Sequence, residues 1–391
     1  MNHTRRSNKL KVLLVGDFQY GSGMTVYMMN TYKQLTEQGV TVECLSYSGK
    51  YDFEKETDAL GWKTHYVTRV GQNPIKHWRD WARFCKRNSN SYDIIHFNYS
   101  SSWNFLPVLF AHWFTDAKVV VQSHNTDYSN PIDSKFVKFT IDWVNALGRH
   151  VLAKIADLKI GVSNESLVWM FGSGSHGIVL KNGIKLSHFS FSQKARSVLR
   201  KSLGISDSTR VVGMVGVLTE RKNPIFSLKL FERFHSSQPD SHLVIIGRGG
   251  LQQKLEKEIQ QEELESFVTL INHTSAMNEW YSALDVLIFP SLFEGFGFVP
   301  LEAQASGLYV IASDQIPRDV MITSSIAELS LKSTDKWLDV LDRYLSNPLS
   351  NRGIVSARNI QQIDKAGYSI SSSANVLWGL FRELVATRGK V

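Results

Sequence analysis

The chain has 391 residues, 43% hydrophobic and 20% charged, with two cysteines and a formal net charge of +8. That much apolar material excludes a disordered or collagen-like chain, two cysteines exclude a disulfide-stapled miniprotein, and the length fits two domains. Residues 1–190 hold 22 Lys/Arg against 15 Asp/Glu, so the basic excess lies in the N-terminal half, where nucleic acid, an anionic membrane surface or an acidic ligand would each suit it.

The basic N-terminus is followed only by the short apolar run Val12 to Val15, which reads as a strand and not as a signal peptide. Further β-branched runs follow at Val40 to Leu45, Asp93 to Phe97, Lys118 to Gln122, Leu158 to Val162 and Ile178 to Leu180, with helix-like segments between most of them. The longest apolar stretch elsewhere, Phe105 to Phe114, is broken by Pro107 and His112 and is too short to span a bilayer. A second series runs Val211 to Val217, His242 to Ile246, Val268 to Ile271, Asp285 to Phe289 and Leu308 to Ala312. Near-continuous apolar strands alternating with helices predict α/β architecture: two doubly wound parallel sheets. The polar stretch Lys185 to Leu203 is the expected seam, giving domains over 1–187 and 188–366. Residues 367–391 form a closing helix, capped by Ser371 to Ser373, that could cross back to the first domain. Cys44 and Cys85 have no metal-ligand spacing around them and read as reduced thiols of a cytoplasmic protein.

Candidate chemistry concentrates at Phe289 to Asp314. A strand ends at Pro290, a loop carries Glu294-Gly295-Phe296-Gly297, and a helix starts near Pro300 with Glu302 in its first turn. Two carboxylates so spaced can reach different parts of one ligand; alternatively, one is solvated and the other complements the helix dipole. Gly21 and Gly23 bracket Ser22 before a helix whose Met24, Met28, Tyr32 and Leu35 share a face, and Gly39 is its expected stop. His124 follows a buried strand, and Arg221-Lys222 follow the first strand of the second series.

The E-x7-E pair with its GFGF loop and EAQASG helix resembles the donor-binding signature of family 4 retaining glycosyltransferases of the GT-B fold. Agreeing stretches in order are GDFQYGSGMT, QSHNTD, VLKNGI, VGVLTERKN and IIGRGG. The resemblance implies two Rossmann-like domains facing a central cleft, with the acceptor on the first and a nucleotide-sugar, expected to be a UDP-sugar, on the second. It implies that Glu302 binds the ribose hydroxyls and that Glu294 lies beside the donor sugar, with the amides of Phe296 and Gly297 near it. It implies too that Arg221 and Lys222 hold the diphosphate after Gly216, that the Gly21 and Gly23 loop approaches it, and that His124 lies by the sugar. Three positions depart from the pattern: Val217 stands where an arginine is common, Lys185 where an acid is usual, and Leu308-Tyr309 where Gly is usually followed by x-Pro.

On this resemblance the leaving diphosphate itself takes the acceptor proton, with Glu294 positioning and stabilising. The absence of any Asp-x-Asp predicts activity without a metal or other cofactor. Pro74 to Arg87 puts Trp78, Trp81 and Cys85 on one face among Lys76, Arg79, Arg83, Lys86 and Arg87. That is either a membrane-surface helix or a domain helix with its tryptophans in the core. Peripheral attachment at the inner face of the cell membrane would suit a saccharide or lipid-linked acceptor in polysaccharide synthesis. The basic charge joins no nucleic-acid recognition motif, so nucleic acid is not an expected partner. A non-catalytic glycosyltransferase-like subunit and a sugar-nucleotide epimerase on the same fold are the competing readings.

Overall fold

Alternation along the first strand sets the architecture of the first unit. Leu13 and Val15 point into one buried cluster while Val12 and Leu14 point into another, the two-residue period of a strand covered on both faces. A computed structural model of the protein describes residues 9–19, 22–128, 134–294, 296–346 and 351–387. The chain divides into two units: residues up to Gly183 together with those from Tyr368, and Ile184–Gly367.

In the first unit, β1 (Lys11–Phe18), β2 (Thr41–Tyr51), β3 (Lys63–Tyr66), β4 (Ile94–Tyr99), β5 (Lys118–Ser123), β6 (Leu158–Gly161) and β7 (Ile178–Val179) form one sheet in the order β3-β2-β1-β4-β5-β6-β7. Its pairings are parallel, with Val12 opposite Val42 on one side and Ile94 on the other. The closing helix Ile370–Ala386 belongs to this unit, burying Ala374, Leu377 and Phe381 against Val12, Leu14 and Ile94. Its side chains also bond the helix Gly23–Glu37 and its cap, Gln34 to Ser371 at 3.1 Å and Gln38 to Asn375 at 2.7 Å. The N-cap is Ser369, accepting from the Ser372 amide, so the cap lies two residues before the serines expected to supply it.

The second unit holds β8 (Arg210–Val215), β9 (Ser241–Ile246), β10 (Val268–Ile271), β11 (Val286–Phe289), β12 (Tyr309–Ser313) and β13 (Ile326–Leu329), in the order β10-β9-β8-β11-β12-β13 and again parallel. Val212, Met214, Leu243, Ile245 and Ile288 pack with Leu228, Phe231, Phe234 and Trp337. Both units are Rossmann-like.

The division between the units falls at Gly183/Ile184, just ahead of the polar stretch Lys185 to Leu203, which is itself structured. That stretch contains a 3-10 turn, Leu186–Phe189, and a helix, Gln193–Ser202, folded into the second unit. Arg196 reaches Asp285 at 2.6 Å, and Arg200, 1% exposed, bonds Asp285 and the carbonyls of Ala283, Ser206, Asp207 and Thr209. A buried guanidinium is tolerated when its donors are occupied, which is why a polar sequence here makes core. The same logic fixes Arg352, whose donors meet the carbonyls of Tyr281, Ser282, Leu284 and Ser306.

The helix Pro74–Arg87 is a core helix. Trp81 and Cys85 are buried in the first unit's cluster, with Trp81 5.6 Å from Phe97, and its charges point outward. Cys44 and Cys85 are both buried thiols. Among the described residues no helix is long and apolar enough to cross a membrane.

Candidate functional site

Strand order reverses in the second unit between β8 and β11, so the loops leaving their carboxyl ends diverge and open a crevice. Both loops carry candidate residues. After β8 the chain passes Gly216 and makes a 3-10 turn over Glu220–Lys222. Asn223 then adopts a left-handed conformation, φ 54°, before Pro224 opens the next helix. Asn is among the few residues that enter that region at low cost. The Leu292 amide donates to the Arg221 carbonyl at 2.8 Å, tying this turn to the loop after β11. Lys222 therefore meets Glu294, 72 residues away, at 2.5 Å, and Arg221 lies 3.7 Å from the other carboxylate oxygen.

This cluster is graded in burial. The side chains of Lys222 and Glu294 are 10% and 7% exposed, that of Arg221 46%. Burial pulls the Lys222 pKa down, and the Glu294 carboxylate opposes it. Lys222 also packs 4.6 Å from the Phe289 ring centre and across Gly216, where a Cβ would stand 3.3 Å from its Cδ and Cε. A Cβ there would press on the lysine side chain, so glycine lets it lie flat on the backbone. Val217 is exposed and offers no guanidinium at the position after that glycine.

Further along the β11 loop, Gly297 takes φ 103° and precedes the helix Phe298–Ala305, which starts two residues before Pro300. Glu302 is thus one turn inside the helix rather than in its first turn. The Phe296 ring is buried 5.0 Å from Phe298, and Gly295 lies outside the described residues. The Tyr281 hydroxyl donates to Glu302 at 2.8 Å. Burial pushes the Glu302 carboxyl up to about 7, with the tyrosine hydrogen bond opposing it. Tyr281, absent from the sequence reading, carries no motif of its own and is found only through this bond.

Gly247, after β9, has φ 153°, and a Cβ there would overlap the Gly216 carbonyl. Gly247→Ala is expected to destabilise the fold by about 3 kcal/mol through overlap and strain. The observable is a lower denaturant midpoint at unchanged slope; a wild-type midpoint would show that the two loops part freely.

The first unit reverses between β1 and β4, and its candidate residues gather at the same end. Ser22 caps the helix Gly23–Glu37 by accepting from the Thr25 amide, and Thr25 Oγ1 donates to the Asp17 carbonyl at 2.6 Å. Gly23 is the first residue of that helix; Gly21 lies outside the described residues. His124, just past β5, has Nε2 2.9 Å from Asn98 Oδ1, while the Asn98 amide nitrogen faces the Val15 carbonyl. That orientation makes Nε2 the donor and leaves Nδ1, buried and without a partner, as an acceptor. Burial drives the ring's pKa down to about 3, so the imidazole is neutral at physiological pH and can accept from a hydroxyl.

A cavity of about 670 Å³ opens at these strand ends, lined by Asp17, Tyr47, Arg69, Tyr99, Trp103 and Tyr128 among others. Asp17 Oδ2 accepts from Gln19 at 2.5 Å, whereas Oδ1 is buried without a partner. Aromatic walls with a few convergent polar groups suit a sugar-like ligand. Asp17, an acid at the carboxyl end of the buried strand β1, is a signal the sequence reading passed over. Gly23 and His124 thus lie in the first unit, and Gly216, Arg221, Lys222, Glu294, Phe296, Gly297 and Glu302 in the second.

Two family descriptions match in tandem: Glycosyltransferase Family 4 over residues 21–187 and Glycosyl transferases group 1 over 195–359. The chain is 28% identical over 387 residues to the putative glycosyltransferase EpsF of Bacillus subtilis, covering 96% of this chain and 97% of that one. It is 23% identical over 302 residues to the Escherichia coli UDP-Gal:alpha-D-GlcNAc-diphosphoundecaprenol alpha-1,3-galactosyltransferase, 76% of this chain and 77% of that one. Among solved structures, Anabaena HepE in complex with UDP superposes with a TM-score of 0.77 at 16% identity, covering 96% of this chain and all of the other. With the signature residues gathered at the strand-order reversals of two Rossmann-like units, these matches show that the chain belongs to the family 4 glycosyltransferases of the GT-B fold.

Proposed function

We propose that this glycosyltransferase moves a hexosyl unit from a UDP-sugar, with retention and without a metal, to a saccharide or lipid-linked saccharide acceptor at the inner face of the cell membrane. The observation that carries the donor side is the buried Lys222–Glu294 pair beside Arg221. It sets two cations where a diphosphate leaving group would gather charge, in a site with little water. Glu302 supplies paired acceptor oxygens for a ribose diol. Complexes of HepE with UDP and UDP-glucose support uridine as the base, and the galactosyltransferase activity of the Escherichia coli relative supports a lipid-diphosphate-linked acceptor.

In the ligand-free protein Glu294 pairs with Lys222, and in the reaction it serves to position rather than attack. The anomeric carbon loses its bond to the diphosphate oxygen and gains one to the acceptor oxygen on the same face, and the acceptor's proton passes to the departing diphosphate.

A thermal-shift screen against UDP-, GDP- and ADP-sugars tests the donor. A ligand at about 100 times its Kd raises folded-state stability by about 2.7 kcal/mol. A shift with UDP-sugars and transfer that survives EDTA are expected. No shift with any nucleotide-sugar would favour the non-catalytic subunit, and loss of transfer in EDTA that Mg²⁺ restores would overturn metal independence.

A further inference from the structure

The helix Lys135–Ile155 of the first unit packs Leu152, Ala153 and Ile155 on the core and carries a second set of large apolar residues on its outer side. Its inner face is fixed: Asn145 Oδ1 accepts from the Ser102 amide at 2.9 Å, and Gly148 lies so close to the Ser102 carbonyl that a Cβ would not fit. Leu152 completes the buried contact. On the opposite side Phe136 is 79% exposed, Phe139 70%, Trp143 66% and Leu147 43%. Steps of three and four residues align them as one stripe on the helix. A contiguous exposed patch of large apolar side chains marks an interaction surface.

Charge on the same helix selects the partner. On this helix Lys135, Lys138, Arg149 and Lys154 outnumber its one acid, Asp142, which is engaged by Lys138 at 2.8 Å and by the Tyr128 hydroxyl at 2.9 Å; Asp127, ahead of the helix, also acts on Lys138. Phe and Trp flanked by unbalanced cations are the features of a helix lying in the plane of an anionic bilayer surface. We propose that Lys135–Ile155 docks on an anionic lipid surface, placing Phe136, Phe139, Trp143 and Leu147 among the acyl chains and the lysines at the headgroups. This deepens the membrane placement proposed above and rests on it. It also moves the contact from the helix Pro74–Arg87, whose Trp81 is buried, to a different element. The inner face of the docking helix contributes Ile141 to the 670 Å³ cavity, beside Tyr128. An acceptor whose lipid tail stays in the bilayer would thus present its polar end next to that cavity.

Flotation of the full chain with vesicles of phosphatidylcholine alone, or of phosphatidylcholine with phosphatidylglycerol, tests this. Binding to the mixed vesicles is expected, about tenfold weaker without the anionic lipid and about tenfold weaker in the variant F136S/F139S/W143S. Those side chains are exposed, so the variant should keep its melting temperature and its thermal response to nucleotide-sugar. Lys76→Glu with Arg79→Glu, on the other helix, should leave flotation unchanged. The inference is overturned if the triple variant floats like the wild type, if the wild type binds neither vesicle, or if the Lys76/Arg79 variant loses binding instead. It is also overturned if the wild type forms a dimer that the triple variant abolishes without vesicle binding, which would assign the stripe to a second copy. Loss of flotation with the nucleotide-sugar response intact strikes this inference alone. Flotation without any nucleotide-sugar response supports the surface and strikes the transferase reading.

Discussion

Lys222→Ala is expected to lower kcat by about 10²–10³-fold, the loss seen when one fixed charge-stabilising group is removed from a developing anion. Burial concentrates the effect: the Lys222 ammonium sits in a site with little water to screen it, whereas Arg221 is nearly half exposed. In the proposed complex a diphosphate beside Lys222 would compete with Glu294 for the ammonium, and the carboxylate would then be free to accept from a sugar hydroxyl. Arg221→Ala should therefore cost less than Lys222→Ala, because water can take over part of its work.

Removing one member of a buried pair also leaves the other uncompensated, so Lys222→Ala should lower the melting temperature as well as turnover. A double-mutant cycle with Glu294→Gln separates the roles. If the two act as a unit, the double variant will be little worse than Lys222→Ala alone. Turnover within threefold of wild type for Lys222→Ala, in an assay with saturating donor, would remove leaving-group stabilisation by this residue. Near-normal turnover of Glu294→Gln would remove any essential role for that carboxylate.

How much of this was legible in the sequence follows from what each feature depends on. Strands with continuous apolar runs, such as β5 and β9, announce themselves because both faces are covered. The edge strands β3 and β13, KTHY and IAEL, are only partly buried or exposed and leave no such run. The polar stretch after Lys185 misleads because its arginines are satisfied by carbonyls and an aspartate distant in sequence, a fact that composition does not contain. The helices Pro74–Arg87 and Lys135–Ile155 show the same limit. Periodicity reveals that a helix has two faces, but only the packed fold shows that Trp81 faces the core and Trp143 the solvent. The E-x7-E signature located Glu294 and Glu302 and the resemblance named Lys222, while the Lys222–Glu294 pairing and Tyr281 as the partner of Glu302 required the tertiary structure.

With Glu302 as the proposed ribose-binding group, donor affinity is expected to depend on pH. Its residue is partly exposed, yet its carboxyl is desolvated and bonded to Tyr281, and its pKa rises to about 7. In the ligand-free protein the folded state holds this proton more tightly than the unfolded chain does. Its contribution to stability is therefore fully present below the ordinary glutamate value and declines as pH rises through about 7. A ribose diol donating to both oxygens favours the ionised form, so donor binding releases the proton. Affinity for UDP-glucose, a donor without a group that titrates in this window, should be about tenfold weaker at pH 6 than at pH 8. Glu302→Gln should flatten that dependence and lose about 1–3 kcal/mol of affinity at pH 8, while making the ligand-free protein more stable there, since no buried carboxylate has to ionise. Calorimetric titrations in two buffers of different ionisation enthalpy read the released proton directly. A pH-independent Kd in the wild type, or the same pH dependence in Glu302→Gln, would mean that the ribose hydroxyls are held elsewhere and that the Tyr281–Glu302 bond only braces the helix.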